Sequence, residues 1–472
     1  MPLKNLSTAV KDVGIHAMEV YFPRTYVEQV ELEAFDGASP GKYTVGLGQQ
    51  QMGFCADQED IQSFCLTVTA NLLKKHQIDP KTVGFLAVGT ETIVDKSKSV
   101  KTQLMQLFPD NSDIEGVDVT NACFGGTQTV FHAVDWVYAN HSLLESRWAI
   151  AVMGDIAVYD AGPVRCCGGA GAVALLIGPN APLAFDRGLR AVHMQNVYDF
   201  YKPQMNSEYA VVDGRLSIQS YLMALDSCYQ LYKAKHAQLH DGVPVDLSSF
   251  EAVVFHSPYT RLVQKGFGRL AFHDFLAGRS GHLTNIDELL PFRDTPLDAT
   301  YGERTFEKAT LAASESLFKQ KTDPSLLIAR RNGNMYTASL YGGLCSLLFN
   351  RSPAELAGQQ ILLFSYGSGS AAAMYSLRVS PDAQALSSLR ASAVDAAFRL
   401  QQRVKVTPQA FTQALQMRET MMGKSSYEPQ ALRSDSGEGM QFGMFPDTFY
   451  LTKIDEKFRR HYEQIAAAAA AA

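Results

Sequence analysis

The stretch TNACFGGT (residues 120–127) places a cysteine at a turn between two segments of different pattern. Residues 114–119 before it alternate as in a β-strand, and the uncharged run 127–134 after the two glycines is typical of a helix. A thiol at a helix start meets free backbone N–H groups and the helix dipole, which favour the thiolate. The stretch therefore predicts a nucleophile beside an oxyanion site, although a small cysteine filling a tight corner gives the same pattern.

The composition is that of a globular enzyme. The chain has 472 residues, 46% hydrophobic and 19% charged, enough for two or three domains with a large core. A net charge of −6 predicts no general attraction to nucleic acid or to an anionic membrane. Because glycine, serine or proline interrupts the longest uncharged runs, 356–377 and 166–185, they are typical of strands and loops, and we expect no membrane span.

The cysteines and the N-terminus indicate the compartment. Seven cysteines at positions 55, 65, 123, 166, 167, 228 and 345 form no C-x-x-C pair, which disfavours structural zinc and a disulfide framework. The first fifteen residues lack the apolar core of a signal peptide and the arginines of a transit peptide. The expected location is the cytoplasm.

The pattern of the first 380 residues alternates β-rich runs with amphipathic segments, which predicts an α/β fold. Predicted strands are 84–89, 148–153, 170–177, 252–255, 325–329 and 361–364. Predicted helices are 57–75, 217–238 and 301–319.

The two halves of this region repeat one order of features. In the first half a strand ends near Glu91, a corner carries Cys123 and a strand ends at 154–155; in the second, the matching places are His256, 332–334 and 365–369. A duplicated α/β unit leaves this trace, with polar residues at the carboxyl ends of strands, where ligands bind. We expect related halves at 12–180 and 181–380.

The pattern changes beyond residue 380, and 381–465 is expected to be an α+β extension packed on the core. Thr407-Pro408 is typical of a helix start, and the helix is predicted to continue to Glu419. A Ser/Gly-rich loop at 424–439 and a strand at 448–454 follow. The alanine tail, 466–472, is given no function.

Three further corners carry residues suited to catalysis. Glu91 follows an apolar strand, where burial would raise its pKa and suit it to proton transfer; a salt-bridged surface carboxylate is the alternative. His256 is held by a Ser-Pro turn and suits contact with a carbonyl, although a buried structural histidine is equally compatible. Asn334 could orient a carbonyl or simply form a turn. The segment SYGSG, 365–369, offers backbone N–H groups.

Together these corners resemble the thiolase superfamily of acyl-CoA condensing enzymes. The strings VGTETIVDKSKSVKTQLMQLF, DVTNACFGGT, YDFYKP, VFHSPY, NGNMYTASLYG and FSYGSG resemble eukaryotic hydroxymethylglutaryl-CoA synthases, in order over residues 12–465. The resemblance implies a duplicated thiolase-like fold with α-β-α-β-α layers. It also implies a homodimer, no cofactor or metal, and a place in the mevalonate route to isoprenoids and sterols.

The resemblance also implies a reaction. Acetyl-CoA would acylate Cys123 and release CoA, and Glu91 would remove a methyl proton from the acetyl group. The resulting carbon nucleophile would attack acetoacetyl-CoA, contacted by His256, and hydrolysis of the Cys123 thioester would release hydroxymethylglutaryl-CoA. Alternatives are a thiolase or ketoacyl synthase, and a catalytically impaired acyl-CoA-binding homologue.

The remaining site residues are likewise taken from matching family positions. Those matching substrate and CoA contacts are Asn334, Ser368, Ser217, Lys42, Arg261 and Lys265, and those matching supporting positions are Asp95, Asp155, His193, Asp199 and Tyr336. Any single cation among them could instead be a solvated surface charge.

One segment departs from the family pattern. The family usually has GNARPTGG where residues 162–169 are GPVRCCGG, so Pro163 replaces an asparagine and Cys167 a threonine at substrate-contacting positions. Proline removes a hydrogen-bond donor and a thiol is a weaker one than a hydroxyl. We therefore expect altered substrate affinity or rate, and a second thiol near Cys123.

Overall fold

The computed structural model describes residues 10–140, 147–430 and 443–466. Its strands, in chain order, are β1 (Gly14–Tyr21), β2 (Thr25–Glu28), β3 (Gln51–Gly53), β4 (Val83–Gly89), β5 (Asp118–Val119), β6 (Trp148–Ala157), β7 (Gly169–Gly178), β8 (Leu183–Phe185), β9 (Ala191–Met194), β10 (Phe200–Tyr201), β11 (Val211–Val212), β12 (Ala252–Phe255), β13 (Gln360–Gly367), β14 (Ala371–Val379), β15 (Val404–Lys405), β16 (Phe449–Ile454) and β17 (Arg460–Gln464).

The helices of the same residues are α1 (Gln29–Phe35), α2 (Ile61–Lys75), α3 (Val100–Leu104), α4 (Gly125–Asn140), α5 (Gly214–Leu239), α6 (Thr260–Leu276), α7 (Arg304–Lys321), α8 (Leu327–Asn332), α9 (Ser339–Asn350), α10 (Pro353–Leu356), α11 (Ser387–Gln401) and α12 (Pro408–Met421). None of the helices in the described ranges combines the length and apolar character that a bilayer crossing needs.

A mixed sheet joins the two halves of the α/β region. Its strands lie in the order β12-β13-β14-β8-β1-β7-β6-β4-β5, and β9 pairs with β14. The strands that lead to the predicted corners are parallel within each half, β4 with β5 and β6, and β12 with β13. Their carboxyl ends therefore bring Glu91 and His256 to the ligand-binding edge of each half.

The first turn of α4 packs against residues 336–338, the turn just before α9, so that the Cys123 and Asn334 corners lie side by side. A Cβ atom on Gly126 would lie 2.3 Å from the carbonyl oxygen of Thr337, so only glycine permits this approach. The Tyr341 hydroxyl of α9 donates to Thr127 Oγ1 of α4 at 3.1 Å. The two glycines after Cys123 therefore serve contact between the halves as well as the turn.

Most of the predicted elements are confirmed, with longer bounds for β6 and β13. The predicted strand 325–329 is wrong, because this segment is a turn followed by α8. Its buried residues fall in groups with helical spacing, which a short apolar run conceals: Ser325 and Leu326, then Ile328 and Ala329, then Asn332. Asn334 therefore follows a helix and not a strand.

The predicted strand 114–119 is shorter than expected. Only β5 is regular, and an isolated bridge joins Phe85 to Glu115. Gly116 between them has φ of +111°, a backbone conformation that interrupts regular pairing.

The C-terminal extension packs on both halves, with α11 against β1 of the first half and α9 of the second. Thr407 caps α12 by accepting from the Ala410 N–H, as predicted, and β15 pairs with β2. The Arg418 side chain of α12 is buried, pairs with Glu208 at 2.6 Å and donates to the Glu59 carbonyl at 2.8 Å. Most of the predicted loop 424–439 and of the alanine tail lies outside the described residues.

Candidate active site

Cys123 lies at a tight corner just before α4. Ala122 has φ of +43°, and the Phe124 and Gly125 N–H groups donate back to the carbonyls of Asn121 and Ala122. The SYGSG segment packs closely against this corner, since a Cβ on Gly367 would lie 2.4 Å from the Phe124 nitrogen. The sequence prediction of a cysteine immediately before a helix is therefore confirmed.

The Cys123 thiol contacts the Glu91 carboxylate. Cys123 Sγ donates to Glu91 Oε1 at 3.4 Å, and Lys202 Nζ lies 3.1 Å from Glu91 Oε2. The thiol, the carboxylate and the ammonium group thus form a continuous chain in which Glu91 is the central member.

The charge state of Cys123, in this group of three contacting side chains, differs from the expectation. Burial, and then the charges of Glu91 and Asp155, raise the pKa of the Cys123 thiol well above its ordinary value. The expected preference for the thiolate is wrong in this state, because burial and the facing carboxylates oppose the helix dipole. Burial also raises the pKa of Glu91, as predicted, while the Lys202 charge lowers it. A thiol facing a base can be deprotonated as it attacks.

Asp155, at the end of β6, holds the loops from both halves. Its Oδ1 accepts from the Glu91 N–H at 2.8 Å, from the Thr92 N–H at 2.9 Å and from Thr90 Oγ1 at 2.9 Å. Its Oδ2 accepts from the Thr337 N–H at 3.0 Å and from the Thr337 hydroxyl. A fully buried carboxylate with this many donors fixes the Glu91 loop against the Asn334 corner.

A pocket of about 280 Å³ opens onto Cys123. Its lining is mainly apolar and aromatic, and includes Tyr159, Val164, Phe200, Ile218 and Leu262. Such a pocket excludes water and suits an acyl chain or a pantetheine arm. The predicted residues that line it are Cys123, His256, Asn334, Ser368, Ser217, Lys42, Pro163, Cys167 and Tyr336.

His256 lies at the end of β12 and is buried. Its backbone N–H donates to the Phe364 carbonyl at 2.8 Å, and the Tyr221 hydroxyl donates to its carbonyl at 2.9 Å. Burial lowers the pKa of the imidazole to about 3. The neutral ring can donate one hydrogen bond to a substrate carbonyl, which fits the predicted contact.

The Asn334 side chain is oriented by its own corner. Its Oδ1 accepts from the Tyr336 N–H at 2.9 Å and from Ser339 Oγ at 2.8 Å. Both partners are donors, which assigns the oxygen to this side and leaves the NH₂ group for an acceptor such as a thioester carbonyl. Of the predicted roles, orientation of a carbonyl fits this geometry.

Asp199 supports the Ser368 segment. Its Oδ2 accepts from the Tyr366 hydroxyl at 2.9 Å, and its Oδ1 accepts from the Gly369 N–H at 2.9 Å. The carboxylate holds both sides of Ser368, so the supporting position assigned to Asp199 is consistent with its contacts.

Seven predicted residues lie outside the lining of the Cys123 pocket. Glu91, Asp155 and Asp199 are described above, and the other four have contacts elsewhere. Arg261 and Lys265 are on α6, where Arg261 donates to Gln264 and Lys265 pairs with Glu307 at 3.0 Å. Asp95 lines a neighbouring surface pocket of about 600 Å³ and accepts from two N–H groups of its own loop. His193 is on β9, where its Nδ1 bonds Ser227 at 3.0 Å.

Sequence reasoning missed Lys202 and the aromatic pair Tyr159 and Phe200. The Lys202 ammonium group lies 4.6 Å from the centre of the Tyr336 ring as well as against Glu91. Burial alone would lower the pKa of Lys202, but the Glu91 and Asp155 carboxylates raise it. The string YDFYKP, which ends in this lysine and a proline, is the sequence signal that could have revealed Lys202.

Comparisons with known proteins point to one family. Residues 9–182 match the family described as hydroxymethylglutaryl-coenzyme A synthase N terminal, and residues 183–465 match its C-terminal counterpart. The cytoplasmic hydroxymethylglutaryl-CoA synthase of Homo sapiens is 51% identical over 98% of this chain and 89% of its own length. The mitochondrial enzyme of Sus scrofa is 50% identical over 98% and 91%.

Solved structures give the same result for the fold. The structure of MvaS in complex with 3-hydroxy-3-methylglutaryl coenzyme A has a TM-score of 0.80 and 30% identity, covering 96% of this chain and 99% of that one. A hydroxymethylglutaryl-CoA synthase complexed with CoA has a TM-score of 0.71 at 20% identity, covering 96% and 100%, and supports the fold alone. The duplicated α/β fold, the Cys123 corner and the two family matches together establish that this chain belongs to the hydroxymethylglutaryl-CoA synthase family.

Proposed function

We propose that the protein condenses acetyl-CoA with acetoacetyl-CoA and water to give 3-hydroxy-3-methylglutaryl-CoA and CoA, as a step of the mevalonate route. The observation that carries this proposal is the contact of Cys123 with Glu91 in an apolar pocket. A half-buried nucleophile and a carboxylate with a raised pKa are the two groups that acyl transfer followed by carbon–carbon bond formation requires.

The first half-reaction is acylation. Glu91 takes the Cys123 proton as the sulfur attacks the acetyl-CoA carbonyl, and then gives that proton to the departing CoA sulfur. The Asn334 NH₂ group is available to the carbonyl oxygen, since its own Oδ1 is held by the Tyr336 N–H and the Ser339 hydroxyl. Lys202 stabilises the ionised form of Glu91 before the step.

Condensation uses the same carboxylate again. Glu91 removes a methyl proton from acetyl-S-Cys123, and the carbon attacks the acetoacetyl ketone. Neutral His256 donates a hydrogen bond to the ketone oxygen, which becomes the tertiary alcohol as Glu91 returns the proton. Hydrolysis then frees Cys123. Groups of this chain supply every proton transfer, so the proposal includes neither a cofactor nor a metal.

Lys42 is the cation of this pocket best placed for CoA phosphates, and Arg261 and Lys265 follow Tyr259, another lining residue, on α6. We propose these three as CoA-binding residues with Ser217. Asp95 and His193 are proposed as supporting residues only, because their contacts lie beyond the Cys123 pocket.

We also propose a cytoplasmic homodimer. Similarity to cytoplasmic synthases supports the location, although the mitochondrial enzymes are nearly as similar. The short strand β5 ends the sheet, and beside it Ile93, Val117 and Met205 surround one surface pocket with exposures of 45%, 66% and 49%. A free sheet edge with exposed apolar side chains is suited to a second copy of the chain.

Incubation with labelled acetyl-CoA tests the proposed function. We expect covalent label on the Cys123 peptide, loss of that label in Cys123→Ala, and hydroxymethylglutaryl-CoA on addition of acetoacetyl-CoA. Label transfer without that product would indicate a thiolase-type enzyme. CoA binding without label would indicate an acyl-CoA-binding homologue, and either result would overturn the proposal.

A further inference from the structure

Two separate cavities lie beside the Cys123–Glu91 pair. The larger pocket is lined by Cys123, whereas the Glu91 carboxylate lines a second cavity of about 50 Å³. The wall of this second cavity, here called the rear cavity, carries the polar side chains of Glu91, Lys202, Gln204, Ser207 and Glu208. Its volume is enough for a few water molecules, and its polar groups can hold them.

The two carboxylate oxygens of Glu91 contact different side chains. Oε1 faces the Cys123 thiol at 3.4 Å, while Oε2 faces Lys202 at 3.1 Å, and Lys202 is itself part of the rear cavity wall. A water molecule in the rear cavity would therefore lie beside the residue whose carboxylate faces Cys123. General-base activation of water requires this proximity.

The proposed reaction creates a need for such a site. After condensation, the product is bound to Cys123 through one carbonyl and still carries its CoA arm at the other end. That arm occupies the apolar pocket, so the side from which the substrates enter is closed to water when the thioester must be hydrolysed. The rear cavity adjoins Glu91 independently of that pocket.

We propose that the rear cavity binds the water that hydrolyses the Cys123 thioester. Glu91 takes one proton from this water while its oxygen bonds to the thioester carbonyl carbon. Collapse of the tetrahedral intermediate breaks the carbon–sulfur bond, and the Glu91 proton passes to Cys123 Sγ. The products are a free thiol and a carboxylic acid, which loses its proton to solvent. This inference rests on the proposed function.

Filling the rear cavity tests this inference. In Ser207→Leu, the added side chain displaces water, and we expect the condensed intermediate on Cys123 to accumulate about tenfold during turnover. Acid quench and mass spectrometry of the Cys123 peptide measure it, and the rate of CoA release on acetylation should be unchanged. Ser207→Ala is the matched control, because the Ser207 hydroxyl already donates to Glu419 and accepts from the Tyr209 N–H, so its loss neither fills the cavity nor removes a group that binds water there.

Met422→Phe, which fills the cavity from another wall, is a second variant in case Ser207→Leu does not fold. Wild-type levels of the intermediate in a folded filled variant, or acetylation slowed as much as hydrolysis, would overturn the inference. If the wild-type protein forms no hydroxymethylglutaryl-CoA at all, the proposed function fails as well. The two failures are therefore distinguishable.

Discussion

At the residue scale, the site depends on one carboxylate with two different neighbours. Glu91 is buried with a thiol on one side and an ammonium group on the other, so its charge is compensated without solvent. Burial raises its pKa and Lys202 opposes that rise, which keeps the group able both to accept and to return a proton. The function of Glu91 therefore depends on Lys202, which lies against the Glu91 carboxylate and against the Tyr336 ring of the apolar pocket.

Lys202→Met should move the acid limb of the pH–rate profile to higher pH. Removal of the positive charge leaves burial unopposed, so the pKa of Glu91 rises and its active carboxylate form is lost at a higher pH. We expect kcat at neutral pH to fall about ten- to a hundredfold. Lys202→Arg, which keeps the charge, should retain a profile near that of the wild type. An unshifted acid limb in Lys202→Met would contradict the assignment.

Cys167→Thr should tighten binding of acetoacetyl-CoA. Cys167 lines the substrate pocket, and a threonine hydroxyl is a better hydrogen-bond donor than a thiol. One added hydrogen bond predicts a KM about three- to tenfold lower with little change in kcat. Cys167→Ala removes the thiol without adding a hydroxyl and should not lower KM. Equal KM values in all three proteins would show that this departure from the family pattern is neutral.

The sequence predicted the chemical residues better than their charge states. Cys123, Glu91, His256 and Asn334 each stand in a short string whose neighbours mark a corner, so they were found. Lys202 was missed because a lone lysine beside a proline is usually a solvated cation, and nothing local shows that it faces Glu91. The pKa of Cys123 also depends on distant carboxylates and on burial, which no local pattern contains.

At the scale of elements, apolar runs bounded by polar turns predicted most strands, and one short run, 325–329, was misassigned. Strands β4, β7 and β12 were found because their buried runs are bounded by polar turns. The run 325–329 is equally apolar but helical, since length alone cannot separate a short buried strand from a short buried helix. Packing of this segment against α9 favours the helix over the strand.

Arg418→Met should loosen the C-terminal extension. Arg418 is buried with Glu208, so its removal leaves an unpaired buried carboxylate and is expected to cost about 3–5 kcal/mol in the free energy of unfolding. Denaturant titration measures this change. Arg459 also pairs with an aspartate, but its side chain is 65% exposed, so Arg459→Met should unfold like the wild type. Equal stability of the two variants would show that the buried pair is dispensable.

At the scale of the whole molecule, the two halves form one site that neither holds alone. Cys123 and Glu91 come from the first half, and His256, Asn334 and Ser368 from the second, yet all five lie around one pair of adjoining cavities. The echo of features in the sequence predicted this convergence. The close contact of Gly126 with the Thr337 carbonyl was not predictable, because no residue near Gly126 in the sequence indicates which distant segment packs against it.

Val117→Lys should weaken the proposed homodimer. Val117 is 66% exposed next to the last strand of the sheet, so a charge there would have to be buried between two copies. Light scattering after gel filtration should give a dimer mass for the wild type and a monomer mass for the variant. Val394→Lys, on the exposed side of α11, should stay dimeric. A monomeric wild-type protein would contradict the proposal.

The hydrogen bonds of Asp155 to segments of both halves have a consequence for synthesis of the chain on the ribosome. The Asp155 carboxylate accepts hydrogen bonds from the Glu91 loop, which precedes it in the sequence, and from Thr337, which follows it by 182 residues. A nascent first half therefore carries a buried acceptor whose partners have not yet been translated, and its nucleophile corner lacks the facing helix. We expect the emerging first half to remain loosely packed, and thioester chemistry to begin only after the second half has left the exit tunnel.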